Sequence, residues 1–199
     1  LNKKSSKYYD VNEFLNRKFD STSSLSFFHI NIASLIKQHD ELTSLLNIIK
    51  FKFSVIAISE TRLKPTFDGS NSIDLDEYQF VDTRTLSNAG GTGLYVHNSI
   101  ANNMKIRHDL CLQSENGYET TFIEIAQTRK KNLICGCIYK HPNVSSAEFS
   151  EECLLKILEK INKEDKLVTI MGDFNINLLN YDTSTGSSDF YNLIASHNL

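Results

Sequence analysis

Two carboxylates in this sequence stand at the ends of continuous apolar runs. Glu60 follows VIAIS (55–59), and Asp173 follows LVTIMG (167–172). In layered α/β proteins, ligand-binding groups gather at the C-terminal ends of such strands. Gly172 precedes the aspartate, and Asn175 lies two residues beyond it, on the same face if the chain stays extended. A carboxylate beside an amide suits a hard cation such as Mg²⁺. That ion takes oxygen ligands at about 2.0–2.1 Å and needs only one or two protein carboxylates. The plainer reading is a carboxylate that caps a turn, and for either residue alone that reading is the stronger.

Other features carry less. The cluster Gly90-Gly91-Thr92-Gly93 has neither P-loop nor GxGxxG spacing and reads as the turn into a strand. Arg129-Lys130-Lys131 reads as a solvated hairpin tip. His29 shares strand parity with Asn31, so it either faces the same site or is a satisfied core histidine. His39, His97 and His108 show no metal-ligand spacing. Cys111, Cys135, Cys137 and Cys153 lack paired C-x-x-C spacing and read as reduced, buried thiols.

The whole chain sets the bounds. Its 199 residues, 40% hydrophobic and 23% charged, suffice for one α/β domain with its own core. A net charge of −3 excludes a globally basic nucleic-acid binder and leaves local basic residues and a bound cation to grip phosphate. No apolar run approaches the roughly 18 residues of a membrane span, and no signal peptide is evident, so a soluble protein of the nucleus or cytoplasm is expected.

The elements that must position these groups follow from periodicity. Residues 1–24, polar and rich in Ser and Lys, read as a linker or arm. LSFFHINI (25–32) and FSVIAIS (53–59) read as buried strands. Between them Leu35, Leu42, Leu45, Leu46 and Ile49 recur at helical spacing, with Ser34 as the expected cap. Residues 121–125 and 133–139 alternate as strands joined by a turn at 127–132. Ser145-x-x-Glu148 begins a helix over 146–162, with Phe149, Cys153, Ile157 and Ile161 at four-residue spacing. A strand over 167–171 and a helix-like segment over 190–199 follow. The expected fold is α/β, two packed mixed β-sheets flanked by helices in a four-layer sandwich.

Five segments, HINIASL (29–35), AISETRL (57–63), AGGTGLYV (89–96), CIYKHPN (137–143) and IMGDFN (170–175), stand in the order and approximate spacing of a known family. Over residues 25–199 the chain resembles the endonuclease domain of LINE-type non-LTR retrotransposons. That domain belongs to the endonuclease/exonuclease/phosphatase superfamily, with deoxyribonuclease and apurinic-endonuclease relatives.

The resemblance implies a deoxyribonuclease-like sandwich that nicks DNA with Mg²⁺, or Mn²⁺ in its place. The 3′-hydroxyl it leaves would prime a reverse transcriptase encoded in the same polypeptide. It implies that Glu60 is the principal metal ligand and that Asn31 lies in the metal and phosphate site. Tyr139 would contact the scissile phosphate, Asp173 and Asn175 would orient the attacking water, and Asn143 would be a further substrate contact. Lys140, beside Tyr139, is the expected contact to the DNA backbone. Ala33 departs from the Asn or Asp common two residues beyond the first Asn. The family's Ser-Asp-His motif has no counterpart before Leu199, so a domain lacking its C-terminal strands is expected. Within the sequence reading, a phosphoesterase of the same fold and an inactive retrotransposon remnant stand as alternatives.

Overall fold

The computed structural model describes residues 7–17, 25–69 and 72–197. Two continuous apolar runs form central strands because only burial on both faces suits them. One is β2 (Val55–Ser59), buried at every position, and the other is β8 (Leu133–Lys140), likewise buried throughout. Around β2 a first sheet is built with β1 (Phe27–Asn31), β3 (Tyr78–Thr83) and β4 (Thr92–His97), in the order β1-β2-β4-β3. The β1–β2 pair is parallel, joined through α2 (Leu35–Ile49), and the other pairs are antiparallel.

The second sheet has the order β5-β7-β8-β9, with β5 (Met104–Ile106), β7 (Tyr118–Ile125) and β9 (Leu167–Asp173), and β6 (Gln113–Ser114) pairs with β7. The exposed turn at 127–132 sets the antiparallel β7–β8 register, and β8 pairs with β9 in parallel. Both sheets are therefore mixed, as expected. Their inner faces enclose Val55, Ala57, Leu94, Val96, Ile123, Cys135 and Cys137. Each large aliphatic side chain fully buried there contributes about 1.5–3 kcal/mol.

Helix α2 covers the outer face of the first sheet through Leu35 and Leu42. The outer face of the second is covered by α4 (Ser146–Phe149), α5 (Leu155–Asn162) and α6 (Thr185–Ser196). A short α3 (Asn98–Ala101) follows β4. Strands β1 and β9 are outer strands of their sheets and touch one another. Among the described residues no strand pairs with the far edge of either.

The structure corrects several local expectations. Residues 11–15 within the expected linker form α1 (Val11–Leu15), closed by a reciprocal cap between Asp10 and Glu13, and Phe14 packs against the first sheet's outer core. The rest of that stretch, 1–6 and 18–24, lies outside the described residues. Ser34 does not cap α2; its φ of 132° directs its side chain elsewhere. The amide of Leu35 is instead satisfied by the Thr61 carbonyl at 2.9 Å.

The helix expected over 146–162 is present but contains a π turn, Ser150–Leu154, between α4 and α5. Four-residue spacing drifts about 40° per step around an α-helix. The wider turn offsets that drift, and Phe149, Cys153, Ile157 and Ile161 all stay buried. The last helix starts at Thr185, five residues earlier than read, and ends with His197 as its C-cap.

Candidate active site

Strand pairing brings the site together before any side chain is considered. In the second sheet Glu119, Tyr139 and Asp173 lie in one cross-strand row, because Glu119 pairs with Tyr139 and Tyr139 with Asp173. In the first sheet Asn31 pairs with Ser59, and Glu60 is the next residue. The two rows meet where β1 and β9 touch.

The amide nitrogen of Asn31 bridges them, donating to Glu60 Oε1 at 2.9 Å and to Asp173 Oδ2 at 2.8 Å. Its orientation follows from the network: Asn31 Oδ1 accepts the Ala33 N–H at 3.2 Å, which leaves the nitrogen facing the carboxylates. The Asp173 Oδ1 atom accepts the Asn175 N–H at 3.1 Å. Each oxygen of Asp173 thus has its own donor.

The Glu60 carboxylate is held as firmly. Arg62 donates to Oε2 at 3.0 Å, and the Tyr139 phenol lies within electrostatic reach of the same carboxylate. Burial opposes ionisation of Glu60, but the hydrogen bonds from Asn31 and Arg62 and the Arg62 charge outweigh it, so its pKa falls below the usual value. Burial, then the charges of Glu60 and Asp173, push the Tyr139 phenol well above its ordinary range. At neutral pH Tyr139 is therefore a hydrogen-bond donor and not a base.

The backbone around Glu60 is unusual. Glu60 and Arg62 both have φ of 54°, the left-handed region that non-glycine residues seldom occupy. The turn is over-determined by its neighbours: Thr61 N–H donates to Gly91 O at 3.1 Å and Arg62 N–H to Gly90 O at 2.8 Å. At Gly172, φ is 149° and a Cβ would stand 1.9 Å from the Ile138 carbonyl oxygen. Only glycine lets β9 lie that close to β8 and deliver Asp173.

Of the residues named from sequence, Asn31, Glu60, Tyr139, Asp173 and Asn175 are brought together. The Asn175 side-chain amide donates to the Lys140 carbonyl at 2.7 Å and locks the turn after β9. Lys140 does not offer its charge to DNA in this geometry. Neighbouring strand residues face opposite ways, and with Tyr139 in the site Lys140 turns inward, 2% exposed, its ammonium donating to the His141 carbonyl. Burial lowers its pKa, with Asp173 opposing.

Asn143 is exposed in the turn after β8, and among the described residues no hydrogen bond joins it to the cluster. His29 donates to or accepts from Ser59 Oγ at 3.1 Å, as a core histidine would, while feeling the Asp173 charge. Sequence reading missed Arg62 as a partner of Glu60, although a cation two residues after the carboxylate was the available signal. It also missed Glu119, which only the β7–β8 register places opposite Tyr139.

Among the described residues no three of His, Cys, Asp and Glu gather as a metal cage. The donor set nonetheless fits a hard divalent ion. Two carboxylates converge on one amide nitrogen, and such an ion fills its remaining positions with water and phosphate oxygen.

No family model matches the chain, and no curated protein matches it. Its architecture, two mixed sheets face to face between helices, is shared with several solved structures. The AP endonuclease LMAP from Leishmania major superposes with a TM-score of 0.64 at 14% identity, over 97% of this chain and 79% of that one. The endonuclease domain of TRAS1, a telomere-specific non-LTR retrotransposon, superposes with a TM-score of 0.59 at 10% identity, over 87% and 71%. D. rerio TDP2 complexed with single-strand DNA product gives 0.59 at 17%, over 85% and 65%. Among the described residues no helix is long and apolar enough to cross a membrane.

Proposed function

We propose that this chain hydrolyses phosphodiester bonds in DNA with Mg²⁺, Mn²⁺ serving in its place. It nicks one strand and leaves a 3′-hydroxyl that primes a reverse transcriptase domain of the same polypeptide. The observation that carries this reading is the Asn31 bridge, which sets Glu60 and Asp173 side by side from different sheets. The five sequence motifs favour the retrotransposon branch over other phosphoesterases of the fold, while the likenesses to LMAP, TRAS1 and TDP2 support the chemistry that these share; the protein would work in the nucleus or the cytoplasm.

Glu60, held ionised, would be the principal metal ligand, with Asn31 fixing its angle; the bound ion would supply charge neutralisation at the phosphate. Asp173, fixed by Asn31 and by the turn at Asn175, would orient the attacking water in line with the scissile bond. Tyr139, protonated and aimed into the same space, would donate to a phosphate oxygen as charge develops. Arg62, partly exposed beside Glu60, is the nearest cation for the DNA backbone.

The test is nicking of supercoiled plasmid in Mg²⁺ by the folded chain. Nicked circles whose 3′ ends a polymerase extends are expected, and Glu60→Gln or Asp173→Asn should abolish them. Intact plasmid with the folded protein would sink the proposal, as would equal nicking by both variants.

A further inference from the structure

Behind Tyr139 lies a second pair of ionisable groups that the proposed chemistry does not use. Glu119 is 1% exposed and His141 7%. The imidazole Nε2 stands 3.3 and 3.2 Å from the two carboxylate oxygens, so both oxygens share one ring nitrogen. Burying such a pair is costly unless each partner satisfies the other, and a fold retains it where it fixes a geometry. Its placement follows from strand parity. Glu119 is opposite Tyr139, and His141, two residues on from Tyr139, faces the same side.

Each end of the pair touches a different support of Glu60. The His141 ring meets the Tyr139 ring edge-on, with centroids 5.0 Å apart, and Tyr139 in turn lies beside the Glu60 charge. On its other side the pair abuts Gly90. A Cβ there would stand 2.6 and 2.7 Å from the Glu119 oxygens and 2.7 Å from His141 Nε2. Gly90 in turn accepts the Arg62 N–H, and Arg62 holds Glu60 Oε2.

We propose that Glu119 and His141 are positioning residues. As a unit they wedge between Tyr139 and the Gly90–Gly91 turn and hold the Glu60 carboxylate at its working angle from both sides. This inference builds on the reading of Glu60 as the metal ligand, and the measurement separates the two. Mn²⁺ affinity of the folded chain, read by water-proton relaxation well below the melting temperature, needs no turnover.

Wild type should bind and Glu60→Gln should lose binding; if Glu60→Gln binds as wild type does, the site reading itself fails. Given that loss, Glu119→Ala and His141→Phe should each weaken Mn²⁺ about tenfold, the range seen when groups behind metal ligands are removed. Glu119→Gln, which keeps an oxygen for the imidazole, should restore affinity to within about threefold, on the same expectation. In a Tyr139→Phe background His141→Phe should add less than it does alone, because the two act through one contact. Unchanged affinity in Glu119→Ala and His141→Phe would overturn the proposal, even if both melt earlier. So would full additivity with Tyr139→Phe.

Discussion

Asn31 and Asp173 are 142 residues apart in sequence, yet the amide of one lies 2.8 Å from the carboxylate of the other. That bond crosses from the first sheet to the second, and it separates two carboxylates that would otherwise repel. Replacing Asn31 with Leu removes the shared donor from both. The expected result is a loss of about 1–3 kcal/mol, since two acceptors are left unpaired, together with weakened Mn²⁺ binding. Chemical denaturation and relaxation titration on one sample measure both.

Asp173→Asn tests chemistry apart from folding. The amide can still accept from Asn31, so thermal melting should shift by only a few degrees, about the scale of 1 kcal/mol in a domain of this size. Nicking should nonetheless fall by about a hundredfold or more, because a neutral amide neither attracts a cation nor takes up a proton from water. Equal losses of melting temperature and activity would mean that Asp173 is structural.

Gly172→Ala should be among the most damaging single changes in the chain. The added methyl meets a backbone oxygen, which cannot swing aside as a side chain could, and the φ of 149° is one that alanine rarely adopts. A loss exceeding about 3 kcal/mol is expected, and much of the protein should be insoluble. A soluble variant with native melting would show that β8 and β9 separate easily.

Which of these relationships could be read in advance depends on their range. Glu60 stood out because β2, buried on both faces, is a continuous apolar run whose end is visible as the first charge; Asp173 ends an equally apolar run, although β9 is an edge strand and only partly buried. Their contact through Asn31 was beyond reach, because no periodicity states which sheet packs on which. Lys140 could have been read correctly: once Tyr139 is assigned to the site, parity sends its neighbour the other way. The missing Ser34 cap was not legible, since the contact made at the helix start, from the Leu35 N–H to the Thr61 carbonyl, comes from a distant loop.

Acid stability should depend on a cluster far from the site. Glu124, 3% exposed, is ion-paired with Lys166, Lys105 and Arg107. Burial opposes its ionisation, but hydrogen bonds from Lys166, Asn132 and Lys105 overcome it and bring its pKa to about 2. A carboxyl depressed on folding stabilises fully above its unfolded value, near 4.5, and that contribution fades as pH falls toward 2. Melting temperature should therefore drop across that window. Glu124→Gln should lower it at pH 7 and flatten the acid slope; an unchanged slope would remove Glu124 as the cause.

Among the described residues no strand pairs with the outer edges of β1 and β9, and these edges give the molecule an adhesive side. Two rows of backbone N–H and C=O groups run next to each other, and Leu167, 49% exposed, adds an apolar foothold at the start of one of them. Any extended peptide laid along either row would lengthen a sheet at no conformational expense to the fold, which is how strand-mediated aggregation begins. Concentrated stocks of this chain should scatter light before they lose secondary structure, and a single lysine introduced mid-edge, as in Thr169→Lys, is the remedy with the least reach into the active site.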